Sequence, residues 1–182
     1  MEKGAENYLK YLSGDENGLA AIIAENRDGL ILYANGIVRN MTAAEDIVED
    51  TFVRLILKKP AFGRQSTFKT WLFEIARNIC YDRLRRDKFI SYEPPKENES
   101  DGMSVEDAYI KRETYEKLHL AMNKLPPDRY ELIWLSYFED MSAKEIGKVT
   151  NRSEKAVFMA LSRARAQLKE ILSEEGFDYE NL

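Results

Sequence analysis

Apolar residues return every third or fourth position along most of this chain, as in Phe68, Trp71, Leu72, Ile75 and Ile79. Nowhere does a sustained alternation of apolar and polar residues run between hairpin turns. A helix and a strand bury different sets of positions, so this pattern restricts the chain to an all-α fold. The prolines fall between the periodic stretches, at Pro60, at Pro94 and Pro95, and at Pro126 and Pro127. Each marks a helix boundary, because the ring removes a donor and obstructs the preceding turn. The segment "SYEPPKENESDGMSVEDAY", Ser91 to Tyr109, mixes Pro, Gly, Ser and acids with few large apolar groups and reads as a flexible linker. Two small helical domains follow from this.

Charge divides along the same boundary. The chain carries a net charge of -5, which argues against a protein basic all over, but the cations are grouped. Lys58, Lys59, Arg64, Lys69, Arg77, Arg83, Arg85, Arg86 and Lys88 face only Glu74, Asp82 and Asp87 in the first group. Lys144, Lys148, Arg152, Lys155, Arg163, Arg165 and Lys169 face Glu145 and Glu154 in the second. One basic patch per domain suits a protein that touches a polyanion at two places, and solvated helix faces are the alternative.

The first patch contains "STFKTWLFEIARNICYDRLRR", Ser66 to Arg86. A turn of 100° per residue gathers Phe68, Trp71, Leu72, Ile75 and Ile79 on one arc, a core face. The opposite arc carries Lys69, Phe73, Arg77, Tyr81 and Arg85, so cations and rings alternate at a spacing of four. Such a row serves single-stranded nucleic acid, since bases stack on rings while cations follow phosphates. Packing of Phe73 and Tyr81 under a neighbouring helix is the other possibility. The preceding loop, with Phe62 and Arg64, has the composition to hold a base drawn out of a duplex.

The second patch has the form of a helix-turn-helix. Ser142 and Glu145 form a capping box, Asn151 tolerates the left-handed conformation of a tight turn, and Ser153 caps the next helix. That helix buries Val157, Ala160, Leu161, Ala164 and Leu168. Its outward positions are Lys155, Phe158, Met159, Ser162, Arg163 and Ala166. Phe158 and Met159 can contact thymine methyls or face another protein or domain.

One cysteine, Cys80, excludes an internal disulfide, and one histidine, His119, leaves too few ligands for a zinc site. A cytoplasmic protein with no metal and no cofactor is expected. The opening residues lack a signal-peptide pattern, and no stretch approaches the about 18 apolar residues of a membrane span, so no membrane insertion is expected. No catalytic spacing and no glycine-rich phosphate loop is present, which argues against an enzyme.

Four segments, taken in order, resemble the RNA polymerase sigma factors, in particular the extracytoplasmic-function (ECF) group of the sigma-70 family. "AEDIVEDTFVRL", Ala44 to Leu55, resembles region 2.2. The resemblance implies that Asp46, Glu49, Asp50 and Arg54 contact the β′ clamp helices of core RNA polymerase. "FKTWLFEIARNICYDRLRR" is similar to regions 2.3 and 2.4, which melt and read the minus-ten element of promoter DNA. It assigns Lys69, Phe73, Arg77, Asn78, Tyr81, Arg85 and Arg86 to that strand, with Phe62 and Arg64 in the pocket loop.

"LPPDRYELIWLSYFEDMSAKEI", Leu125 to Ile146, resembles region 4.1, which embraces the β-flap tip. Leu132, Ile133, Tyr137 and Phe138 are its candidate contacts, divided between core and flap groove. The helix-turn-helix is similar to region 4.2, which implies minus-thirty-five recognition by Arg152, Ser153, Lys155, Phe158, Met159, Ser162 and Arg163. The family usually places Gly near Asn151, Thr near Ala156 and a basic or polar residue near Phe158 and Met159, so this chain departs there.

The implied layout is region 2 over 1–90, an acidic linker over 91–111, region 4 over 112–175 and a tail over 176–182. The implied function is promoter recognition and opening for transcription initiation, with an anti-sigma factor as a further partner. A sigma-like decoy and a stand-alone helix-turn-helix regulator are the alternatives.

Overall fold

Local signals start and stop most of the helices. In the computed structural model, which describes residues 2–63, 65–90 and 117–176, α1 spans Lys3–Leu12, α2 Glu16–Val38, α3 Met41–Lys58 and α4 Phe68–Ile90. The described part of α5 runs over 117–123, and α6 Pro127–Tyr137, α7 Ala143–Thr150 and α8 Glu154–Glu174 complete the chain. Among the described residues there is no strand. The expected linker, the tail beyond Gly176 and Arg64 lie outside the described residues.

Asp15 caps α2 by accepting from the Asn17 amide, and Asn40 caps α3 by accepting from the Ala43 amide at 2.9 Å. Thr67 Oγ1 accepts from the Thr70 amide at 3.1 Å and starts α4. Each bond satisfies an amide that has no partner within its own helix. Arg39 and Lys59 end α2 and α3 in the left-handed conformation. Pro60 follows α3 directly, and Pro127 occupies the first turn of α6, where its missing donor costs nothing.

The first half folds around Tyr8, Ile22, Ile47, Leu55, Phe68 and Leu72, all buried. Tyr8 donates to the Pro60 carbonyl at 2.7 Å and so ties α1 to the loop after α3. Gly18 lets α1 and α2 cross closely, since a Cβ there would lie 2.2 Å from the Asn7 carbonyl oxygen. Phe62, expected in the pocket loop, packs against the same core. Its ring is half-buried and packs 5.7 Å from Phe68 and 5.4 Å from Trp71, because an apolar side chain beside an open aromatic cluster gains by closing it.

The second half packs α6, α7 and α8 on Leu132, Leu135, Ile146, Val149, Val157, Leu161 and Ala164. The helix-turn-helix is built as its sequence predicts. Ser142 and Glu145 form the capping box, Asn151 sits at φ 55°, and Ser153 accepts from the Ala156 amide at 3.2 Å. The two halves then share one core, since α6 lies on α2 and α7 lies on α4. Among the described residues no helix is long and apolar enough to cross a membrane, and no group of His, Cys, Asp and Glu is arranged to hold a metal.

Candidate nucleic-acid interface

The alternating row on α4 is not an open surface in this structure. Phe73 is 1% exposed and meets Tyr33 of α2 edge-on at 5.2 Å, so its expected place among solvent-facing residues is corrected. The wheel reads the row correctly as one side of the helix. What covers it is α2 and the second half of the chain, and the apolar gain of burying a ring, about 1.5–3 kcal/mol, explains why Phe73 faces inward.

Arg77 is gripped by Glu131 of α6. Its Nε donates to Glu131 Oε2 at 2.8 Å and a terminal nitrogen donates to Oε1 at 3.1 Å, a two-pronged pair. Glu131 is wholly buried, and Tyr33 offers its hydroxyl to Oε2 at 3.4 Å. Burial opposes the Arg77 charge, yet the hydrogen bonds and charge of Glu131 outweigh it and hold the guanidinium above its ordinary range. Arg77 also lies 4.4 Å from the centre of the Tyr81 ring, which is half-buried.

Two further acids of the second half meet α4. Lys69 pairs with Glu139 at 2.6 Å. Thr67 and Thr70 stand 3.3 and 3.4 Å from Glu145 Oε1. Burial would raise the Glu145 pKa, but bonds from Ser142, Thr67 and Thr70 hold it below the ordinary carboxylate range. Carboxylates thus sit against the cations and hydroxyls of the row, as phosphates of a nucleic acid would. At the far end of the row Asn78, Arg85 and Arg86 remain exposed, and Arg85 pairs with Asp82 on its own helix.

Other joints fix the same arrangement. Tyr130 of α6 donates to the Leu32 carbonyl at 3.2 Å, and Arg39 bonds Asn123 at 2.7 Å and the Leu125 carbonyl at 2.8 Å. The Tyr130 ring lies over Gly36, where a Cβ would fall 1.8 Å from ring carbon Cε1. Sequence reasoning missed Tyr33, Gly36, Tyr130 and Glu131. One signal was present: Glu131 interrupts the apolar run Tyr130, Leu132, Ile133, and an acid at such a position requires a buried partner.

The remaining candidates fall into two groups. Asp46, Glu49, Asp50 and Arg54 are all exposed on α3, beside the exposed Val53, Ile56 and Leu57. Leu132 and Ile133 are buried and so belong to the core, which corrects their candidacy as contacts in this form. Tyr137 is exposed and Phe138 stacks on Trp134 at 4.5 Å. On the helix-turn-helix, Lys155, Phe158, Met159, Ser162 and Arg163 are exposed, Ser153 is the cap, and Arg152 stands 3.8 Å from Asp128.

An α4 face of cations and rings, with a helix-turn-helix in the same chain, defines a two-part helical nucleic-acid-binding protein. Residues 22–90 match the model of sigma-70 region 2, and residues 115–168 match that of sigma-70 region 4. The ECF RNA polymerase sigma factor SigM of Bacillus subtilis is 30% identical over 152 residues, covering 76% of this chain and 89% of SigM. SigW of the same organism, also an ECF RNA polymerase sigma factor, is 27% identical over 184 residues, covering 94% of this chain and 98% of SigW. The chain therefore belongs to the ECF sigma factors of the sigma-70 family.

Solved structures agree on the fold. CnrH in complex with the cytosolic domain of CnrY superposes with a TM-score of 0.65 at 25% identity, covering 94% of this chain and 96% of that one. The sigma factor RpoE in complex with the anti-sigma factor NepR, from Bartonella quintana, gives 0.66 at 24% identity, covering 83% and 94%.

Proposed function

We propose that this chain binds bacterial core RNA polymerase in the cytoplasm, directs it to a restricted set of promoters and opens their minus-ten region, with no covalent chemistry of its own. The observation that carries this reading is the α4 row, whose cations Lys69 and Arg77 are paired with carboxylates of the chain's own second half, with the Tyr81 ring 4.4 Å from Arg77. A surface matched to carboxylate oxygens and to ring stacking is matched to phosphates and bases.

In this reading the described structure is a resting form. Glu131, Glu139 and Glu145 hold places that promoter DNA takes when α6 and α7 leave α4. Asp46, Glu49, Asp50 and Arg54 are exposed beforehand, so polymerase docks on α3 first and uncovering of the row follows. Region 2 over 1–90, region 4 over 112–175 and the minus-ten and minus-thirty-five residues named above, except the buried Phe73, are part of the same proposal. So is an anti-sigma partner, whose action would be to favour the covered form.

The test is multi-round transcription with bacterial core polymerase on a randomised promoter library. An Asn78→Ala, Arg85→Ala, Arg86→Ala variant changes exposed side chains only and is expected to lower the protein-dependent transcripts at least tenfold. Binding to core polymerase without any transcript would instead favour a sigma-like decoy.

A further inference from the structure

We propose that Phe158 and Met159 set the minus-thirty-five specificity of this chain by receiving the C5-methyl groups of thymines in the major groove; the inference rests on the sigma-factor reading. Both residues are more than half exposed, at 56% and 54%, near the start of α8. They have no packing duty there, because α8 is held by Val157, Leu161 and Ala164 on its other side. The direction in which they point is fixed. The turn before α8 is so tight that a Cβ on Gly147 would lie 2.6 Å from the Arg152 carbonyl oxygen, and Val157 lies against that same glycine.

The second helix of a helix-turn-helix sets its N-terminal residues against base edges. Phosphates and sugars offer nothing to a side chain without a donor, and among the groups lining the major groove the thymine methyl is the apolar one. An exposed apolar pair at this place is therefore matched to thymine. Consecutive residues stand about 100° apart on a helix, so Phe158 and Met159 flank the line of Lys155 and Ser162 and reach different base pairs.

The surroundings select nucleic acid over a protein partner. No acid occurs from Lys155 to Lys169, a stretch with Lys155, Arg163, Arg165 and Lys169. A cleft of about 290 Å³ between α6 and α8 brings Arg129, Arg152 and Arg163 together over Ala156 and Ala160, with Asp128 beside Arg152 at 3.8 Å. Ala156 is small and exposed and Arg163 is exposed beside it, so the helix can approach a groove while that guanidinium follows a phosphate on its edge. An apolar pair rimmed by cations complements thymine methyls bordered by phosphates.

The experiment compares wild type with a Phe158→Ala, Met159→Ala variant, each bound to core polymerase, on a promoter library randomised across the minus-thirty-five window. Wild type is expected to enrich thymine, on either strand, at two positions, and the variant to lose that preference with unchanged thermal unfolding. The selected promoter is then rebuilt with deoxyuridine for each enriched thymine, which deletes the methyl and nothing else. Initiation is expected to fall about fourfold per methyl with wild type, the cost of one buried methyl, and to stay level with the variant.

If wild type and variant choose the same sequences and respond alike to deoxyuridine, the pair faces a protein and the inference is overturned. Protein-dependent transcripts from promoters without enriched thymine overturn it as well, while leaving the sigma-factor reading intact. The absence of any protein-dependent transcript overturns that reading, and this inference with it.

Discussion

Gly36→Ala is expected to drive the two halves of the chain apart while leaving each folded. The added Cβ would fall 1.8 Å from Cε1 and 1.9 Å from Cζ of Tyr130, far inside contact distance. The ring has little room to retreat. It is buried, tied by its hydroxyl to the Leu32 carbonyl, stacked on Trp134 at 5.9 Å and covered by the Arg39 guanidinium at 5.1 Å. Overpacking of this kind costs about 1–3 kcal/mol, a change of roughly 5- to 150-fold in the ratio of closed to open forms.

The same substitution favours α2 itself, since alanine exceeds glycine in helix propensity by about 1 kcal/mol. Small-angle scattering is therefore expected to report a larger radius of gyration at undiminished helix content. Binding of single-stranded minus-ten DNA is expected to strengthen. An unchanged radius would mean that the contact over Gly36 does not hold the halves together.

Glu131→Gln and Arg77→Ala break the same ion pair and are expected to move transcription in opposite directions. Removing one partner of a buried pair costs roughly 3–5 kcal/mol when the other charge stays buried. Here the charge escapes, because separation of α6 from α4 returns Arg77 to water. In Glu131→Gln the amide nitrogen opposes the guanidinium donors, so the closed form loses its central joint while the row on α4 is intact. Transcription from a limiting amount of the chain rises. Arg77→Ala opens the closed form too, but it removes a cation that the promoter strand needs, and transcripts fall at least tenfold. Parallel losses in both variants would mean that Glu131 contributes to initiation rather than to closure.

How much of this was legible in the chain depends on the distance over which each signal acts. The capping box at Ser142 and Glu145, the left-handed Asn151 and the Ser153 cap are local, and sequence reasoning places all of them. The α4 face is local as well, since 100° per residue separates the Phe68, Leu72 and Ile79 side from the Phe73 and Arg77 side. What the wheel lacks is the identity of the partner. Arg77 and Glu131 are 54 residues apart, and helical periodicity carries no information about which helix meets which.

Two residues do mark the joint. Glu131 is an acid in an apolar run, and Gly36 is a glycine inside a 23-residue helix, where it weakens the helix unless something must come close. Phe62 shows what composition leaves open. A loop with an aromatic ring reads as a pocket, but the nearby cluster of Phe68 and Trp71 offers that ring a place to pack. Composition cannot distinguish the two.

The central claim is that one face of α4 holds α6 in the free chain and the promoter strand in the initiating complex. A spin-label distance between Asp87 and Asp128, both exposed on α4 and α6, tests it most directly, with buried Cys80 left unlabelled. One short distance is expected in the free chain and a longer one once core polymerase and promoter DNA are bound and minus-ten thymines react with permanganate. A short distance that persists in a complex with an open promoter would contradict it.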